Sequence, residues 1–207
     1  RMDLPLGRHD LKRRIDATLE ASGERAAAVR LIVTRGSGPI EPDPSLATHP
    51  RVLVIVRPRP RHPERSYSEG VSAAIVRSVV SASGTHAKTG NYLASVLAMK
   101  EAREAGAFEG ILCNLEGKVT EAASSNVFIA ARGVVRTPPA ADGLLAGITR
   151  QVVLELCAGH GIAWEEASIT PEDLRRADEL LITSSLKEVM PVTRLDGALV
   201  GDGRVGP

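Results

Sequence analysis

Apolar side chains recur along the chain at two spacings, and these divide it into elements. Leu11, Ile15 and Leu19 follow Asp10 at intervals of four and end before Gly23, which predicts a capped amphipathic helix. Residues 28–34 and 51–56 are β-branched apolar runs and therefore strands, with a Gly/Pro-rich loop over 36–50 between them. Residues 57–63 read RPRPRHP, where alternating prolines forbid helix and favour an extended linker. A domain boundary is expected there, giving one domain over 1–60 and a second over 61–207.

Beyond the linker, 71–80 is strand-like, and NYLASVLAMKEAREA over 91–105 has helical spacing at Leu93, Val96, Leu97 and Lys100, ending at Gly106. Short strands over 110–114, 119–120, 126–131 and 134–137, joined by Glu116-Gly117 and Arg132-Gly133 turns, predict an antiparallel meander. A helix is expected over 148–158, and another at Thr170-Pro171-Glu172-Asp173, which supplies a hydroxyl cap, proline at the first position and an acid three residues on. Residues 179–183 form a strand, and 189–195 with 198–200 a hairpin around Asp196-Gly197. Helices and strands together predict an α/β (α+β) protein.

Charge and composition narrow the partners. The 26 basic and 25 acidic residues leave a net charge of +1, with 43% apolar residues, the profile of a globular protein. Without a basic surplus, and with Tyr67, Tyr92, Phe108, Phe128 and Trp164 as the aromatic residues, nucleic acid is disfavoured as a partner. The longest strongly apolar run, 52–56, is far short of the ~20 residues of a membrane helix. A membrane is not expected, and a cytoplasmic location is. Cys113 and Cys157 stand apart from any Cys/His cluster, which predicts neither a disulfide framework nor a metal site. An opening Arg1 and a stop at Pro207 after a turn-like segment read as part of a longer protein.

Four features suit the holding of a phosphorylated aromatic cofactor. Lys88, in THAKTGNY, lies between a strand and a helix among small residues; a lysine amine attacks carbonyls once burial lowers its pKa. Glu121, in LEGKVTEAASSNVF, is an acid among Ala and Ser that could keep a ring nitrogen protonated. Leu144-Leu145-Ala146-Gly147-Ile148-Thr149-Arg150 leads into a helix whose free N–H groups attract phosphate, with Gly147 permitting close approach and Thr149 adding a hydroxyl. Thr183-Ser184-Ser185 places three hydroxyls at a strand end. Taken singly, Lys88 and Glu121 are more often an exposed loop lysine and a turn glutamate, and the other two features are equally an ordinary helix start and a polar turn.

Their order is more specific. KTGNY, then EGxVTExxSSNVF, TPP, LLxGITR, ADExxxTSS and PV resemble the class IV (fold type IV) pyridoxal-phosphate-dependent aminotransferases, most densely between Lys88 and Val192. The resemblance implies two domains: a small, incomplete N-terminal α/β domain, and a larger one with a curved, barrel-like mixed sheet flanked by helices. It implies pyridoxal 5'-phosphate as cofactor, Lys88 as the lysine that bonds it and moves the substrate proton, and Glu121 as partner of the pyridine nitrogen. Leu145 would lie on the ring face, Gly147, Ile148 and Thr149 would take the phosphate, and Ser184 and Ser185 would complete its cup. The family's H-x-x-R segment, with its phosphate-binding arginine, would fall before Arg1, and its C-terminal helix after Pro207. A homodimer is implied as well.

Related enzymes of this kind transaminate branched-chain L-amino acids, transaminate D-amino acids, or eliminate pyruvate from aminodeoxychorismate. The D-specific enzymes commonly carry an R-x-H pair after the T-R-G strand end, whereas Thr34-Arg35-Gly36 here continues SGPIEPDP. Transamination between a branched-chain L-amino acid and 2-oxoglutarate is therefore the first expectation, the lyase the second and D-amino acid transamination the third. A catalytically dead scaffold is disfavoured by the intact Lys88 and Glu121.

Overall fold

The computed structural model describes residues 6–41, 43–79 and 88–206, which fall into two compact units, Arg1–Arg61 and His62–Pro207. The end of the predicted strand at Val80 and the approach to Lys88 over 85–87 lie outside the described residues.

In the first unit, helix α1 (Arg8–Ser22) packs on an antiparallel pair, β1 (Ala27–Val33) and β2 (Val52–Pro58). Asp10 is not the cap. The helix begins three residues earlier, from Gly7, and Asp10 becomes a first-turn acid paired with Arg13 at 3.0 Å. Gly23 ends it at φ 66°, a conformation open to glycine without strain. The linker is also shorter than the prolines suggested, because Arg57 and Pro58 continue β2 opposite Ala28 and Ala27. An edge position tolerates a proline that has no N–H to donate.

The second unit holds α2 (Arg65–Ser68), β3 (Val71–Val79), α3 (Leu93–Glu104), β4 (Glu109–Cys113), β5 (Val119–Ala122), β6 (Asn126–Ala131) and β7 (Val134–Thr137). It continues with α4 (Ile148–Gly159), β8 (Trp164–Glu166), α5 (Pro171–Arg175), β9 (Glu179–Ser184), β10 (Glu188–Leu195) and β11 (Ala198–Leu199). The strands form one mixed sheet in the order β5-β4-β3-β10-β9-β6-β7-β8, with β11 on β10. A bridge between Ala122 and Ser125 tightens the turn between edge strand β5 and β6. The interior of the curl is filled by Ile111, Val119, Val127, Ile129, Leu180, Ile182 and Met190.

One expectation is corrected here. The predicted meander is two separate hairpins, β4–β5 and β6–β7, because β3, β10 and β9 lie between them in the sheet. The turn residues read correctly; the non-local pairing did not show in them. Helix α3 turns its small residues inward. Leu93, Val96 and Leu97 are 65%, 60% and 46% exposed, while Ala98 and Ala102 are buried against Ala74, Val76 and Leu112. A Cβ on Gly110 would come within 2.8 Å of the Ala98 carbonyl oxygen, so helix and strand meet too closely for leucine.

Candidate functional site

Glu121 lies on β5, whose edge curls toward β6. Its carboxylate is partly buried, which pushes its pKa up, while the Leu145 N–H bonded to Oε2 at 3.2 Å and the charge of Lys88 pull it down. Burial is the largest of the three. A carboxylate so placed favours any cationic or N–H partner brought beside it.

Leu145 is gripped from both sides, since its N–H donates to Glu121 and its carbonyl accepts the Asn126 amide at 2.8 Å. Asn126 opens β6 and sits across from Thr183 of β9. That register brings the Ser184-Ser185 strand end alongside the segment that leads into α4. Gly147 then caps α4 without any side-chain hydrogen bond, leaving first-turn N–H groups for another acceptor. A Cβ on Gly147 would fall 2.1 Å from Asn126 Oδ1, so this position holds glycine because the amide passes over it. The buried side chain of Arg150, in the first turn, ties the helix start to the Pro138 carbonyl at 2.9 Å and to Glu166 at 2.8 Å.

Of the sequence candidates, Glu121, Leu145, Gly147, Ile148, Thr149, Ser184 and Ser185 are thus connected through hydrogen bonds, strand register and one helix start. Ile148 is 78% exposed and Ser185 is exposed, while Thr149 and Ser184 are half-buried. Lys88 stands before α3 with its ammonium 5.5 Å from the centroid of the Tyr92 ring, and its charge acts on Glu121. The burial expected around its amine is not supplied by the described residues: Lys88 is exposed. Its neighbours on the strand side fall at 80–87, outside the described residues.

Asn126 was missed as a site residue. It belongs to a quoted motif, but its place beside Thr183 depends on the β6–β9 pairing, which periodicity does not specify. Thr183 Oγ1 is buried without a hydrogen-bond partner among the described residues. An unpaired buried hydroxyl, an uncapped helix start and a carboxylate with a raised pKa fit a ligand with phosphate at one end and a basic ring nitrogen at the other.

The family profile described as "Amino-transferase class IV" matches residues 1–195. The chain belongs to this family. It is an aminotransferase by enzyme class, and pyridoxal phosphate is its cofactor. A putative branched-chain-amino-acid aminotransferase of Methanocaldococcus jannaschii is 36% identical over 205 residues, covering 99% of this chain and 71% of that protein. A D-alanine aminotransferase of Bacillus licheniformis is 37% identical over 206 residues, covering 100% and 72%. The crystal structure of the T.th. branched-chain amino acid aminotransferase with pyridoxamine 5'-phosphate superimposes with a TM-score of 0.92 at 28% identity, covering 99% of this chain and 68% of that one. The class IV fold thus accounts for the curled mixed sheet. No helix among the described residues is long and apolar enough to cross a membrane.

Proposed function

We propose that this class IV chain transaminates branched-chain L-amino acids with 2-oxoglutarate as acceptor, in a site carried by residues 61–207 with 1–60 as the small domain. The carrying observation is the Glu121–Leu145–Asn126 hydrogen-bonded chain, which ties a ring-nitrogen partner to the helix start suited to phosphate. Lys88 would hold the cofactor covalently, Glu121 would face the pyridine nitrogen, and the Leu145 side chain would lie on the ring. The α4 start at Gly147, Ile148 and Thr149, with Ser184 and Ser185, would hold the phosphate. When bound, pyridoxal phosphate supplies an electron sink that acidifies the substrate Cα–H bond.

This chain's residues supply the rest. The Lys88 amine, once displaced by the substrate amine, would take the Cα proton and return it on the cofactor side of the substrate nitrogen. Glu121 keeps a negative charge at the ring nitrogen throughout, its own preference for a proton offset by that cationic partner. The uncapped α4 amides fix the phosphate, so the reacting end stays within reach of Lys88.

Relatives of both stereochemical preferences are about equally similar, so identity does not choose between them. The L-reading is supported by the loop after β1, where Ser37, Gly38 and Pro39 stand in place of an R-x-H pair. That loop is tight: a Cβ on Gly36 would lie 2.0 Å from the Thr48 carbonyl oxygen. A cytoplasmic homodimer is part of the proposal, supported by the exposed apolar row Ile148, Val152 and Leu156 along α4.

Borohydride reduction of the cofactor-loaded protein followed by peptide mapping should place the label on the Lys88 peptide. L-leucine, L-isoleucine or L-valine should convert the yellow form to the amine form, 2-oxoglutarate should restore it, and D-alanine should do little. Label on another lysine removes the role of Lys88. Pyruvate and 4-aminobenzoate released from aminodeoxychorismate without an acceptor, with no response to L-amino acids, replaces transamination by the lyase reaction.

A further inference from the structure

One ammonium in the second unit gathers oxygens from two remote turns. Lys187 Nζ donates to Glu109 Oε2 at 2.7 Å, to Ser124 Oγ at 2.6 Å and to Ser125 Oγ at 3.0 Å. An ammonium has three N–H bonds, and these three acceptors fill them. Glu109 is fully buried, and its Oε2 also accepts from the Ser124 and Ser125 hydroxyls at 2.9 and 3.2 Å. The main chain of Lys187 is held too: its N–H donates to Ser184 Oγ at 3.2 Å and its carbonyl accepts from the Tyr67 hydroxyl at 3.2 Å. Glu188, immediately after it, adopts φ 57°, a left-handed conformation that persists in a non-glycine residue only where surrounding contacts impose it.

The two turns so joined carry opposite ends of the candidate cofactor site. Ser124 and Ser125 follow Glu121 between β5 and β6, and Lys187 follows Ser184 and Ser185 between β9 and β10. We propose that Lys187 and Glu109 are a positioning pair that sets the Ser184-Ser185 hydroxyls at a fixed distance from Glu121, and so the phosphate end of the site from its ring end. This rests on the cofactor assignment above and deepens it; neither side chain of the pair is assigned a contact with cofactor. Because the Ser184 oxygen accepts from the Lys187 N–H, the serine keeps its own hydrogen for a phosphate oxygen.

Stability is a poor reason for the pair. A buried ion pair commonly gains little over well-packed apolar residues of similar size, and this one leaves Glu109 Oε1 buried with no hydrogen-bond partner among the described residues. The same chemistry, in which both charges hold short hydroxyl contacts, does fix geometry.

The test replaces both charges at once, Glu109→Met with Lys187→Met, so that no lone buried charge remains. Thermal melting of the cofactor-free protein is measured, together with dissociation constants for pyridoxal phosphate and for pyridoxal, which lacks the phosphate. The expected result is a melting temperature close to that of the unaltered protein, pyridoxal phosphate bound about tenfold more weakly, and pyridoxal much less affected. The preference for the phosphorylated compound therefore falls. An unchanged preference, whether both compounds weaken together or neither does, overturns the positioning role. Should the double variant not fold, Ser124→Ala with Ser125→Ala keeps the ion pair and decides alone: a smaller loss of the same preference supports the role, and an unchanged preference overturns it. An unaltered protein that binds neither compound overturns the cofactor assignment, and this role falls with it.

Discussion

At the scale of single residues, Glu121 illustrates how a site can be set against its own fold. Burial raises its pKa above the ordinary carboxylate value, so the folded state binds a proton more tightly than the unfolded chain. Between the two pKa values the native state carries more protons, and cofactor-free stability falls as pH rises through that window. Glu121→Gln removes the penalty. Its cofactor-free form should melt no lower than the unaltered protein at neutral pH and lose this part of the pH dependence, which calorimetry from about pH 4 to about pH 8 would reveal. The same variant should keep bound cofactor yet lose most transamination, on the order of 10²-fold, because a neutral amide cannot hold the pyridinium proton. Wild-type turnover would reduce Glu121 to a turn residue. Gly147 gives a steric counterpart. Gly147→Ala drives a methyl onto Asn126 Oδ1, and the amide must leave the Leu145 carbonyl, at a cost of about 1–3 kcal/mol. Weaker cofactor binding is expected from Gly147→Ala and from Asn126→Ala alike, measured by absorbance titration.

Elements show which parts of the architecture were written locally. Thr170 and Asp173 form the predicted capping box, with reciprocal bonds at 3.2 and 2.8 Å, and the hydroxyl beside Asp173 lowers its pKa. The folded carboxylate is thus the more acidic one, so its contribution is present at neutral pH and lost as pH falls through the folded pKa. Thr170→Ala should cost about 1 kcal/mol at neutral pH and less in acid, as read by denaturant melts at the two conditions. The Thr170 cap, the Gly23 stop and the Arg132-Gly133 turn, with φ 53° and 77°, depend on neighbours in sequence and were legible there. The inward face of α3 was not. It follows from the close approach of Gly110, on a strand whose place against the helix no local pattern reveals. The motif order disclosed Glu121, the α4 start and the serine pair, whereas Asn126 required the β6–β9 register and Lys187 with Glu109 a contact across 78 positions.

For the molecule as a whole, the strand order has a temporal consequence. The central sheet positions are held by β3 and by β10, and β10, which follows both hairpins in the chain, lies between β3 and β9. A ribosome therefore releases both hairpins, and Glu121 with them, before the strand that must lodge between them has been made. Until residue 188 emerges, β3 and β9 present unfilled edges, and such edges are where nascent chains pair wrongly. Pairings this remote close slowly. In refolding from denaturant, cofactor binding should appear only in the slowest phase, after most helical signal has returned, as stopped-flow circular dichroism and cofactor absorbance would compare. Binding that keeps pace with the helical signal would mean that the cofactor end of the sheet assembles without its central strand. With the order found here, a chain stalled before β10 has the Glu121 carboxylate in hand and no finished cradle beside it.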